Sequence, residues 1–446
     1  MSLLVPVAIF GWPLIVLVLF LTIPARRAVL VGMLGAWMFL PMASYALPGV
    51  PDITKMSITC VSVFAGVLLF DPTRLTAVRW GLADLGMLAW ILAPLPSSIS
   101  NGYGAYDGLS ASLHQFVSWG MPYVIGRLYF ADAEGLRELA LGVFIGGLLY
   151  TPLVLFEARM SPQLHSWVYG FHQHVFAQSK RGDGWRPTVF MQHGLAVAMF
   201  MGTAACCGVW LWHAGGLRML RGIPVWILAG GLFAVAAACR SSYALLLMLM
   251  GTAALFLSRA LGTRVILTGL LLIAPAYTVL RTVGGWDAQE LRDVAAIVAE
   301  KRIHSFEFRL NSEDALWKWV QGGVLFGRGR LESLMVAGKD EFGTFIPDGL
   351  WLIALGKFGA LGLAAMLASL LMPPALYLAR HSPRDVVGSR YAGATVMAAV
   401  LILYTLDNLL NAMVNPIYLL GAGGLVGLQR FRPDGGGEFV VHTKTR

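Results

Sequence analysis

Charge is what this 446-residue chain has least of: Asp, Glu, Lys and Arg make up 13% of it, against about 25% in an ordinary soluble domain, while 57% of its residues are hydrophobic. That ratio excludes a water-soluble enzyme. Cysteine is scarce too. The four present, Cys60, Cys206, Cys207 and Cys239, sit inside apolar runs with no CxxC spacing, which supports neither a disulfide framework nor a zinc site. No P-loop, GxGxxG or HExxH arrangement falls on a strand–helix unit, so nucleotide-driven transport has no support. The net charge of +9 comes without a basic-aromatic stretch. On an apolar chain such an excess reports topology and anionic lipid, not nucleic acid.

What the chain does have is apolar runs near the length of about 20 residues that crosses hydrocarbon, at a mean hydropathy of +0.69. The fold class expected is all-α, a polytopic membrane bundle of about 12–13 transmembrane helices. Spans are placed near 5–23, 28–47, 56–70, 80–98, 109–126, 138–156, 188–212, 225–239, 242–257, 265–283, 348–378, 391–414 and 416–429. The first run is longer than a signal-peptide core and lacks a basic region before it, so it is expected to stay as a span. Alternate connections carry Arg26 and Arg27, Arg74 and Arg79, Arg127, Arg218 and Arg221, Arg259 and Arg264, then Arg380, Arg384 and Arg390. The positive-inside rule assigns these to the cytoplasm, together with a disordered tail over 430–446, and leaves the N-terminus outside. The membrane domain is then 1–429.

Two outer segments are too long to be turns, 158–187 and a loop over 284–347. In the longer one Leu291, Val294, Ile297 and Val298 recur at helical spacing behind Asp287. A second short helix is expected from Asn311-Ser312 to Gly322-Gly323, carrying Leu316, Trp319 and Val320 toward the membrane.

Ionisable groups near membrane depth are costly, so each is a functional candidate set against a structural role. Arg186 stands in Gly184-Trp185-Arg186-Pro187, with His193 expected two helical turns further in; Arg240 opens Arg240-Ser241-Ser242 between two apolar runs. Arg309 lies in Phe308-Arg309-Leu310, and Arg328 in Gly327-Arg328-Gly329-Arg330. All map to the outer face, against the positive-inside bias, and a guanidinium fork is the group best matched to phosphate. Among the carboxylates, Asp348 in Pro347-Asp348-Gly349-Leu350-Trp351 reads as a helix cap or a general base. Glu157 closes a span near Arg159 and Arg186; Asp84 is placed to pair across helices, and Asp407 shares a helix face with Asn411, as Asn408 does with Asn415. His165, His172 and His174 lack a carboxylate at ligand spacing, so no metal and no cofactor is assigned. Trp185 and its aromatic neighbours read first as an interfacial belt and second as a sugar platform, and the two readings are compatible.

The order of these features resembles the O-antigen ligase and polymerase superfamily, bacterial membrane glycosyltransferases that take sugar chains from a lipid pyrophosphate carrier outside the inner membrane. The matching parts are Arg186-Pro187 before a span, Arg240-Ser241-Ser242, a long outer loop with Arg309-Leu310, Leu325-Phe326-Gly327-Arg328-Gly329, and Asp348-Gly349-Leu350-Trp351 through Gly356-Lys357-Phe358-Gly359-Ala360-Leu361-Gly362. They cover about 150–430. Where ligases of the family present a His-Asn type pair, this chain has Asp348-Gly349, which makes it look more like a polysaccharide polymerase or a ligase-like relative. The resemblance implies metal-independent, inverting transfer from a polyprenyl-pyrophosphate-linked glycan to a sugar hydroxyl on a glycan or lipid-linked acceptor, at the periplasmic side of the bacterial inner membrane, without a nucleotide sugar. Arg186, Arg240 and Arg309 would stabilise the departing pyrophosphate, with Asp348 as base and Glu157 as the second choice. Arg328, Glu157, His193, Trp185 and Trp351 would contact substrate. A non-catalytic carrier or flippase-like transporter for the same lipid would use the arginines without a base.

Overall fold

In hydrocarbon every peptide group must find its partner inside the protein, and an apolar chain meets that demand most simply as helices. The computed structural model describes residues 2–47, 51–298, 303–330 and 348–428. Among them eight helices are long and apolar enough to cross a membrane: Leu4–Thr22, Leu82–Ser100, Ala133–Met160, Gly194–His213, Ser242–Ala260, Val265–Thr282, Leu350–Arg380 and Ala392–Leu410. Lys55–Phe70, Val225–Ala238 and Pro416–Leu428 are shorter apolar helices. The molecule is thus an all-α, multi-pass bundle, and its only described strands are three two-residue hairpin ladders. The run expected over 109–126 is broken into Gly104–Gln115, a π turn at Phe116–Gly120 and Met121–Tyr129.

Ala392–Leu410 and Gly194–His213 are the central helices, apolar around their whole circumference because neighbours cover every side. Small residues let backbones touch: a Cβ on Gly126 would run into the Leu420 carbonyl, and one on Gly423 into the Tyr123 carbonyl. The connections gather at two ends. At one, the Ser2 N–H donates to the Tyr169 carbonyl at 3.0 Å and the Met42 N–H to His165 Nε2 at 3.1 Å. At the other, Arg26 pairs with Asp132 at 2.6 Å, and Asp84 takes Arg127 at 3.2 Å and the Tyr123 hydroxyl at 2.8 Å across helices, as its place in an apolar run suggested.

Leu350–Arg380 is not one continuous helix. Gly359 (φ 68°, ψ −163°) breaks it, and the freed peptide groups are taken up by residues 324–330 running alongside. Arg328 and Gly329 N–H donate to the Gly356 and Lys357 carbonyls at 2.9 and 3.0 Å; Ala360 N–H donates to Val324 at 2.8 Å. Only glycine fits where the two segments meet. A Cβ on Gly327 would sit 2.5 Å from the Lys357 carbonyl carbon, and one on Gly359 2.5 Å from the Gly327 nitrogen.

The long loop contributes Gln289–Val298, with Asp287 accepting the Gln289 N–H at 3.1 Å, and Ile303–Val320. The second helix therefore starts well before Asn311-Ser312 and carries Arg309 on it. Ser312 does not cap it but bonds back to the Phe308 carbonyl at 2.8 Å, as a serine inside a helix does. Arg281 anchors this helix to the bundle through Glu313 and Asp314, both at 2.8 Å. The expected tail over 430–446, and residues 331–347 of the loop, lie outside the described residues.

Candidate functional site

Residues 187–193 form an extended loop in which one peptide group after another is held by a side chain from a different part of the chain. Glu157 accepts the N–H groups of Thr188 (2.8 Å), Val189 (2.7 Å) and, in the preceding loop, Leu164 (2.9 Å). The Tyr150 hydroxyl accepts from the Phe190 N–H at 3.1 Å, and Lys55 Nζ donates to the Phe190 carbonyl at 2.8 Å. Gln173 donates to the carbonyls of Val189 and Met191 at 3.0 and 3.2 Å. So restrained, the chain accepts a left-handed Val189 (φ 47°). His193 ends this loop. It is the N-cap of Gly194–His213, its Nδ1 accepting the Leu195 N–H at 3.0 Å, rather than a residue two turns inside the helix; Arg186 and His193 are joined by loop because the span starts later than 188.

Arg186 is 7% exposed; its stem crosses Gly194, where a side chain would collide with it, and its Nη2 donates to the Arg240 carbonyl at 3.2 Å. Arg240 holds a left-handed backbone (φ 52°) in the sharp turn between Val225–Ala238 and Ser242–Ala260. Its guanidinium packs on Gly184 and donates to the Arg181 carbonyl at 3.0 Å, fastening the Lys180–Trp185 hairpin to the bundle. Arg309 donates from Nε to Asp348 Oδ2 at 3.3 Å. His193 lies among these charges: burial foremost, then His174, Arg186, Arg181 and Arg309, pushes its imidazole down to about 3. It is therefore neutral at physiological pH, and because Nδ1 accepts, Nε2 carries the proton and can donate.

Asp348 does not cap the helix that follows it. The N-cap is Gly349, with no side-chain cap bond, and the Asp348 side chain is 40% exposed in its pair with Arg309. Arg309, Glu313 and Asp348 border a cavity of about 10 Å³, room for a water and far too small for a sugar. Asp407 is 2% exposed; one oxygen accepts from Asn411 Nδ2 at 2.7 Å, the other has no hydrogen-bond partner among the described residues, and Arg309 is its cationic neighbour.

The candidates thus divide. Arg186, His193, Arg309 and Asp348, with the Arg240 backbone, come together at one end. Glu157, instead of pairing with Arg159 or Arg186, holds the loop backbone. Arg328 is fixed in the glycine turn, its Nε donating to the Trp319 carbonyl at 3.2 Å. Trp185 packs on Phe176 with ring centroids 5.3 Å apart, and the buried Trp351 donates to the Leu409 carbonyl at 3.1 Å. The four cysteines are buried and unpaired, and no group of three metal-ligating side chains converges among the described residues.

Arg181, Lys55 and the Arg281–Glu313 pair were not singled out from the sequence. Lys180-Arg181 before Gly182-Asp183-Gly184 was a readable hairpin turn, but partners 32 residues apart, as Arg281 and Glu313 are, leave no local pattern. The chain matches no family model and no curated protein. What the arrangement can do chemically is hold an anionic group among guanidinium groups beside a carboxylate and a neutral imidazole donor.

Proposed function

We propose that the protein is a membrane glycosyltransferase of the O-antigen ligase and polymerase type, transferring glycan from a polyprenyl pyrophosphate to a sugar hydroxyl. The observation that carries the reading is Arg186, buried against Gly194 next to the His193 cap and bonded to the Arg240 carbonyl, together with the Arg309–Asp348 pair. In that transfer the anomeric C–O bond to the diphosphate breaks as a bond to the acceptor oxygen forms on the opposite face. Charge grows on the leaving oxygen, where preorganised guanidinium groups in a water-poor site stabilise it most. The acceptor hydroxyl gives its proton to Asp348, the carboxylate that Arg309 holds before the donor binds. On this reading the bundle crosses the bacterial inner membrane about 13 times, with the short apolar helices and the broken 104–129 segment as further spans, and the arginine end faces the periplasm.

A carrier that binds the same lipid without cutting it is the second reading, favoured by the closed space between Arg309 and Asp348. Purified protein in liposomes, given a polyprenyl-pyrophosphate oligosaccharide and a sugar acceptor, decides between them. Transfer predicts lengthened product from the wild type and about 10²–10⁴-fold less from Asp348→Asn. Donor binding with no product from the wild type assigns the carrier role.

A further inference from the structure

Beside the break in Leu350–Arg380 lies a second cavity, of about 430 Å³, that none of the chemistry above uses. Its volume falls within the range of about 300–1,000 Å³ typical of small-molecule sites. The wall comes from three distant parts of the chain: Asp52, the helices around Tyr103, Asp107 and His114, and Arg330 with Phe358. Its shape is fixed by the same exchange that bridges the helix break. Ser97 Oγ donates to the Lys357 carbonyl at 2.6 Å, Asn101 Nδ2 to the Gly327 carbonyl at 3.0 Å, and a Cβ on Gly329 would come within 2.6 Å of the Tyr103 ring.

This wall sets two carboxylates, Asp52 and Asp107, against one guanidinium, Arg330. Arg330 sits 2.8 Å from Asp107 Oδ2 and lies over the Tyr103 ring at 4.6 Å from its centroid. A polyanion gains nothing here, in contrast to the arginine end. Carboxylates and hydroxyls that accept from neighbouring O–H groups, a guanidinium, and the aromatic side chains of Tyr103 and Phe358 are the groups that fit a neutral sugar ring: apolar C–H groups against an aromatic, hydroxyls on the acids. Leu352 lines the small cavity by Arg309 and Phe358 this one, both on the same helix. At 1.5 Å per residue their levels differ by about 9 Å.

We infer that this cavity binds a neutral hexopyranose unit of the acceptor glycan. The word acceptor rests on the transfer reading; sugar binding does not. The test irradiates the purified full-length protein, in phosphocholine detergent, with octyl β-D-gluco-, galacto- and mannopyranosides carrying a diazirine beside the anomeric oxygen, and maps the labelled peptides by mass spectrometry. Label is expected on the peptides spanning 97–114 and 329–330. It should fall at least fivefold in Ala111→Trp, which fills the cavity from an exposed position, and in Asp107→Asn. Free methyl pyranosides should compete, and inorganic pyrophosphate should not. Label that ignores both substitutions, label from none of the three sugars, or displacement by pyrophosphate overturns the inference. A wild type that takes label here yet makes no product leaves the sugar site standing and sinks the transfer reading; the converse result sinks the site alone.

Discussion

Replacing Glu157 by glutamine separates a carboxylate that holds backbone from one that moves a proton. Glu157 is 0% exposed and accepts three peptide N–H groups at 2.7, 2.8 and 2.9 Å. Hydrogen bonds to a charged group are worth about 1.5–3 kcal/mol, neutral ones about 0.5–1.5, and a buried N–H left without a partner costs about 1–3. Glutamine has one oxygen to offer. Set where Oε2 is, it keeps the Thr188 and Val189 bonds at neutral strength, a loss of about 1 kcal/mol each, and turns its NH₂ against the Leu164 N–H. The sum is about 3–5 kcal/mol, concentrated on the loop that carries Arg186 and His193. Thermal unfolding in detergent should shift down by several degrees, and trypsin should cut faster after Lys180 and Arg181, whose hairpin leads directly into that loop. A Glu157→Gln protein with unchanged unfolding temperature and unchanged cleavage, but no product, would refute the reasoning and make Glu157 a chemical group.

Gly327→Ala and Gly359→Ala should each abolish folded protein, because both residues have positive φ and meet backbone atoms at 2.5 Å, whereas Gly231→Ala, with nothing within 4 Å, should express normally; size-exclusion profiles of tagged protein check this. Arg240→Lys keeps the charge but not the flat fork on Gly184, so product should fall steeply at normal expression; wild-type product would make Arg240 purely a hairpin fastener. His165 accepts the Met42 N–H and donates to the Phe171 carbonyl, and burial pushes it down to about 4. The unfolded chain therefore takes up this proton first as pH falls: the stabilisation is full above about 6.5 and is lost on the way to 4, on the order of 2–3 kcal/mol. The gap in unfolding temperature between pH 7.5 and 4.5 should shrink in His165→Gln, and an equal gap would count against it.

The apolar runs made most of the fold legible, because a run near 20 residues leaves a membrane chain few other choices: Lys55–Phe70, Val225–Ala238, Val265–Thr282 and Pro416–Leu428 stand within a few residues of their expected bounds. The break at Gly359 was half visible. A glycine-rich stretch was noted there, but it read as a helix start, since nothing local says that residues 324–330 lie beside it. Arg186 and Arg309 were legible as costly ionisable groups near membrane depth, on the outer face against the positive-inside bias. Glu157 was noticed for the same reason, and its role differs because three peptide N–H groups, two of them about 30 residues away, compete for its oxygens. Asp407 carried a signal too, its spacing to Asn411. That its other oxygen has no partner among the described residues depends on how the neighbouring helices pack, which periodicity does not encode.

Burial separates the two arginine pairs on the Ile303–Val320 helix. Arg281 and Glu313 have side chains 2% and 3% exposed; stripping either partner from a buried pair costs about 3–5 kcal/mol, so Arg281 holds the Ile303–Val320 helix in place. Arg309 and Asp348 are 26% and 40% exposed at 3.3 Å, a pair worth about 0–1 kcal/mol. On the transfer reading, an incoming diphosphate, with two or more charges against one carboxylate, would displace Asp348 from Arg309 at little cost and free the carboxylate for the acceptor hydroxyl. The single helical turn between Arg309 and the Arg281 contacts at Glu313 and Asp314 thus joins a rigid anchor to an exchangeable cation on one helix.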